Sequence, residues 1–258
     1  MSAPNLRAPP RSASVQLRSL LTAAIALTGL ALGSPLRAAP SLQALQDALN
    51  NGSSSEITAL MEAGNGLDPE LVFQRRNFLR AQFPDASWQV SPGISLKDGR
   101  ATTLVTVAGS RHQGPYKFRF EATQKLVLGS SGKRFNSQDV IESNSILRSG
   151  DPNLKVSLLI PDAVLTGQRY DLDVIFDDPL NGAVVAGAIK PVTVSELLSL
   201  QAPDLQLEAL GGGGLFKTVQ APFQPGSQTW AVLLVHPKGI VAASKQVRVV
   251  TKRSDLTL

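Results

Sequence analysis

At Pro84 the hydrophobic period of this chain changes. Before it, apolar residues recur every three or four positions; after it they alternate, and helical spacing all but vanishes beyond Pro152. Such a chain must place short helices first and then antiparallel strands. Ser41 is suited to cap "LQALQDALN", where Leu42, Leu45 and Leu49 share one face. Ser53 and Glu56 have capping-box spacing before "ITALMEAG". Asp68, with Pro69 behind it, opens a third helix through "ELVFQRRNFLRAQF" up to Pro84.

Beyond Pro84, "ASWQV" and "ATTLVTVAGS" read as strands. In "GPYKFRFEATQKLVLG", Tyr116, Phe118, Phe120 and Ala122 alternate with Lys117, Arg119, Glu121 and Thr123. Gly129 to Gly132 then turn the chain into "KRFNSQDVIESNSILRSG". Helices followed by about four antiparallel strands, closing on "VIESNSILRSGD", resemble the nuclear transport factor 2-like, or cystatin-like cone, superfamily over residues 41–148. That resemblance implies three helices on a curved antiparallel sheet around a cavity. Turn-formers cluster in "RSGDPN", residues 148–153, which reads as a hinge. From 152 to 251 the segments "LKVSLLIP", "QRYDLDVIF", "AVVAGAI", "LQLEAL", "LFKTVQ", "TWAVLLVH" and "IVAASKQVRVV" have the spacing of an all-β antiparallel sandwich, with "VSELLSL" as a short helical crossover. This half looks like an immunoglobulin-like domain, its last hairpin turning at Pro237-Lys238-Gly239, although the Cys…Trp…Cys pattern of antibody domains is absent. Residues 252–258 read as a tail.

The 258 residues carry a formal net charge of +5. Residues 1–38 hold Arg7, Arg11, Arg18 and Arg37, no acid, and the uncharged run "SLLTAAIALTGLALG". Basic start, short apolar run and small-residue end are the pattern of a secretory signal peptide cleaved near Ala38. Fifteen helical residues rise about 22 Å, less than the ~30 Å hydrocarbon core, so a lasting membrane span is not expected. Without those four arginines, 21 basic residues face 20 acidic ones, and no footprint for nucleic acid remains. There is no cysteine, which excludes disulfides and thiolate chemistry. The expected destination is the periplasm, a lumenal compartment or the exterior.

Few residues suggest chemistry. Gly211 to Gly214 lead into Leu215 and Phe216, with Lys217 too late for a phosphate-cradling loop, and "GSSGKR" has Arg134 where a Ser or Thr is needed. Both read as turns. His112 and His236 fall in different halves and read as solvated loop or strand-end residues. Asp171 and Asp173, with Asp177 and Asp178 beyond, have oxygens suited to calcium, but a solvated strand face explains them more simply. No GxSxG occurs. On the third helix, a wheel puts Arg75 within the stripe of Leu71, Val72, Phe78, Leu79 and Phe83, near Gln82. A guanidinium there must be paired, for instance with Glu62, or reach a wet cavity. Arg75, Gln82, Trp88 and Tyr116 are therefore the candidate ligand-binding set.

Cyclases and isomerases of the cone superfamily place an acid or base in the cavity. Here no such group is evident unless Asp139 or Glu142 turns inward through a different strand register. The leading expectation is an exported, non-catalytic binding protein without cofactor or metal, whose partner is a small polar ligand or an envelope protein. The alternative is an enzyme of the cyclase or isomerase type. Cone modules often pair through their sheets, so the resemblance also brings a homodimer into view.

Overall fold

A computed structural model describes residues 40–200 and 202–257. The leader read at 1–38 lies outside the described residues. No helix among the described residues is long and apolar enough to cross a membrane.

The helices begin where their caps require. Helix α1, Leu42–Asn51, starts at Ser41, whose hydroxyl accepts from the Ala44 amide at 3.4 Å. Helix α2, Ser54–Leu60, has a complete capping box: Ser53 N donates to Glu56 Oε2 at 2.6 Å and Glu56 N to Ser53 Oγ at 3.4 Å. Those hydrogen bonds from Ser53 hold the Glu56 carboxyl below the usual carboxylate range. Helix α3, Pro69–Gln82, opens on Asp68, which accepts from the Glu70 and Leu71 amides.

Four strands follow as an antiparallel meander: β1 Ser87–Pro92, β2 Thr103–Gln113, β3 Tyr116–Ser131 and β4 Arg134–Gly150. The chain continues through β5 Val156–Leu159, β6 Ala163–Leu165, β7 Arg169–Phe176, β8 Ala186–Val192, helix α4 Val194–Ser199, β9 Glu208–Ala209, β10 Gly214–Gln220, β11 Gly226–His236 and β12 Gly239–Val250. The protein is therefore β-rich, built on a large antiparallel sheet. Nine strands join in the order β1-β2-β3-β4-β12-β11-β8-β9, with β6 parallel on β12, while β10-β7-β5 form a second sheet. Strand β6 escapes a reading by pattern because it is three residues long and its parallel partner is about eighty residues away. The expected strand at "LQLEAL" shrinks to the two residues of β9.

Residues 148–150, within the segment read as a hinge, form the end of β4 and pair with β12 as Gly150↔Gly239 and Arg148↔Val241. One sheet thus runs through both halves of the sequence. Its two hydrophobic cores lie on opposite faces, because successive residues of a strand point to opposite sides. Leu147 joins Phe118, Phe120 and the helix residues Leu45, Leu49 and Ile57. Its neighbour Ile146 instead meets the core of Val241, Ala243, Val232 and Leu234, which Tyr170, Leu172 and Val174 of β7 close from the second sheet. Within that core Trp230 Nε1 donates to the Tyr170 hydroxyl at 2.9 Å, which donates to Gln228 Oε1 at 2.9 Å. Burial pushes the Tyr170 phenol up.

Strand β1 lies at the end of the large sheet, where open backbone groups invite further pairing. Side chains of α1 occupy that edge. Asn50 Nδ2 donates to Trp88 O at 2.7 Å while its Oδ1 accepts from Trp88 N at 2.9 Å, and Gln46 Oε1 accepts from Val90 N at 2.8 Å. Asn50→Ala is expected to cost about 2 kcal/mol, two hydrogen bonds with their buried partners left open. Urea unfolding measures that loss, and light scattering should show more self-association as the edge is freed.

Candidate functional site

The residues nearest the expected cavity are the arginines of α3, and the inward one is not the one the wheel selects. Arg75 is exposed, while Arg76 is buried at 7% exposure. The reason lies in α1, whose last carbonyls have no partner within their own helix and carry its negative dipole end. Arg76 Nε donates to Leu49 O at 2.6 Å, and Arg80 Nη2 donates to Asn50 O. The face of α3 that turns inward carries both the arginines that meet the end of α1 and the apolar Val72, Phe73 and Leu79, while Phe78 is exposed. Glu62, weighed as a partner for Arg75, pairs with Arg134 at 2.9 Å.

The other expected ligand residues are engaged separately. Gln82 Oε1 accepts from Arg111 Nη1, whose guanidinium lies 5.3 Å from the ring centres of both Phe83 and Phe118. Trp88 is buried, with the Arg80 guanidinium 5.5 Å from its ring centre. Tyr116 stands at the β2–β3 turn, 59% exposed and outside the core that Phe118 and Phe120 pack against. The structure thus gives Arg75, Gln82, Trp88 and Tyr116 separate surroundings. Asp139 and Glu142 are ion-paired with Arg100 and Lys125, at 3.0 and 3.3 Å. Asp171 accepts from the Thr218 hydroxyl at 2.6 Å, and among the described residues no three His, Cys, Asp or Glu side chains gather as a metal site. His112 is exposed as read. His236 ends a strand but is buried, its Nδ1 accepting from Lys238 N at 3.0 Å to close the hairpin turn.

A groove forms elsewhere, where two strands part. Strand β12 pairs with β4 as far as Lys245↔Asn144, then runs beside β6 from Arg248 onward. The fork opens a groove of about 570 Å³ lined by Asp98, Arg100, Asp139, Ser227, Gln246 and Arg248, among others. On one side Arg100, from the β1–β2 connection, lies between two carboxylates: its Nε is 2.7 Å from Asp98 Oδ2 and its Nη1 is 3.0 Å from Asp139 Oδ2. The hydrogen bond to Asp98 raises the Arg100 pKa, and hydrogen bonds from Arg100, its backbone amide first, lower that of Asp98. On the other side Arg248 is held by backbone alone. Its Nε donates to Ile141 O at 3.0 Å and its Nη1 to Asp255 O at 3.1 Å.

The Ile141 carbonyl is free for this because a register shift leaves Ile141 out of the β3–β4 pairing, where Lys125 faces Glu142 and Leu126 faces Val140. Carbonyl oxygens orient a guanidinium without cancelling its charge. The groove therefore presents the Arg248 cation, two carboxylates around Arg100, and the Gln246 and Ser227 side chains, Ser227 standing across from Arg248 on β11. Alternation marks Gln246 and Arg248 as the polar face of "SKQVRVV". Only the fork brings them opposite Asp139, and no local pattern encodes a fork.

Together the fold and the groove define a β-rich protein with polar surface clefts at its strand junctions. Residues 151–250 match the family described as Domain of unknown function (DUF8623). No curated protein matches the chain.

Proposed function

We propose that the protein is an exported, non-catalytic binding protein whose fork groove takes an extended polar segment of an envelope partner. The observation that carries this reading is the fixed separation of charge. The Arg248 guanidinium, oriented by two carbonyls, meets a carboxylate of the partner, and the Asp98–Arg100–Asp139 cluster meets a donor or cation. The leader pattern of residues 1–38 supports export. The helices against β1–β4 support a cone-like module, and the core shared by the two sheets supports an immunoglobulin-like sandwich over 152–251. The cyclase or isomerase alternative gains nothing from Asp139 and Glu142, which sit in ion pairs with Arg100 and Lys125.

Selection from a displayed peptide library on the intact protein tests the reading. Enriched peptides should carry an acidic residue, and Gln246→Trp, which fills the groove, should weaken them about tenfold or more with little change in melting temperature. Peptides that bind Gln246→Trp as well as the original protein would place recognition elsewhere and defeat the proposal.

A further inference from the structure

A second groove, of about 290 Å³, lies at the opposite end of β4 from the fork, where β3 and β4 meet the approach to β5. Arg119, Arg148 and Lys155 line it together with Glu121 and Asp177. The register makes Arg119 and Arg148 direct cross-strand partners. Like charges placed so are destabilising unless something lies between them.

The two carboxylates leave these five side chains a net charge of +1, but they are only loosely engaged with the cations. The Arg148 ion pair is with Glu121 at 4.0 Å, and the Glu121 side chain is 67% exposed. Among the described residues Arg119 and Lys155 have no ion pair, and Arg119 Nη2 is shut from solvent without a hydrogen-bond partner. Asp177 lies across from Lys155, its amide donating to the Lys155 carbonyl at 3.1 Å, but the two side chains do not pair. Two guanidinium forks and an ammonium at one cleft have the geometry and charge to hold a tetrahedral dianion.

We infer that this groove is a binding site for a doubly charged oxyanion of the phosphate or sulfate class. The anion bridges the two arginines, relieves their repulsion and ties the end of β4 to the approach to β5. The site is separate from the fork groove and does not depend on what binds there.

Calorimetry and thermal melting with inorganic phosphate and with sulfate, against chloride at equal ionic strength, test the inference. Phosphate should release heat and raise the melting temperature beyond the chloride control. Arg148→Gln should weaken binding about tenfold or more, the loss of a charge-assisted hydrogen bond. The same substitution should leave the melting temperature of the anion-free protein unchanged or higher, because the opposed charges are gone. Glu121→Gln should tighten binding, since it removes the carboxylate beside Arg148.

Flotation with phosphatidylcholine vesicles, with and without phosphatidic acid, separates the sources of the group. Flotation that free phosphate abolishes identifies a lipid headgroup, and phosphate binding without flotation identifies a soluble ligand. A chloride response equal to that of phosphate and sulfate, with no flotation, would overturn the inference. So would phosphate binding that survives Arg148→Gln unchanged.

Discussion

Gly150→Ala lowers the unfolding free energy by about 3 kcal/mol or more, the sum expected when a left-handed backbone and a backbone clash act together. Gly150 ends β4 opposite Gly239, the first residue of β12, and has φ +91°. A Cβ there would run into the Lys238 carbonyl oxygen and lie 2.6 Å from Gly239 Cα. One added at Gly239 would strike the Ser149 carbonyl oxygen. These obstacles are main chain and cannot rotate away. The junction matters because the β4–β12 pairing is what makes one sheet of the strands before residue 151 and those after it. For a chain of this size the melting temperature should fall by about 10 °C. Gly212→Ala is the control: nothing lies within 4 Å of a Cβ at that position, and stability should hold within about 0.5 kcal/mol. A Gly150→Ala protein as stable as Gly212→Ala would mean that the two strands do not meet as described.

The second large effect separates two adjacent arginines. Arg76→Met should cost about 2–3 kcal/mol, because it withdraws a charge-assisted donor from Leu49 O inside the helix layer. Arg75→Met, at an exposed position, should stay within about 0.5 kcal/mol. Equilibrium denaturation of both variants reads the difference directly. Equal losses would mean that α3 is turned about its axis from the orientation found here. The same pair bears on function: Arg76 holds the end of α1, while Arg75, the arginine of the expected ligand set, is exposed.

Much of the secondary structure was legible because its causes are local. Ser53 and Glu56 cap α2 through atoms three residues apart, and Asp68 with Pro69 supplies the cap and first residue of α3. The alternation of Phe118, Phe120 and Ala122 assigns one face of β3 by geometry alone. Gly211 to Gly213 form bends leading into Gly214, the first residue of β10, in keeping with a turn. The candidate sites were not legible in this way. A helical wheel favours Arg75 over Arg76 because it counts apolar neighbours and does not count the open carbonyls of another helix. Arg100 with Asp139, and Arg248 with Ile141, are joined across 39 and 107 positions, and neither pairing leaves a mark on the residues beside it.

By itself the amino-acid order determined where helices yield to strands, which strand faces are apolar, and that no thiol chemistry is available. Those properties follow from backbone geometry and side-chain type within a few residues. Only the tertiary structure decided that β4 and β12 lie side by side, that the two cores take opposite faces of one sheet, and that β12 leaves β4 to open a charged groove. Strand partnership is a contact between distant segments, chosen by the free energy of the whole assembly, and no short stretch of sequence contains it.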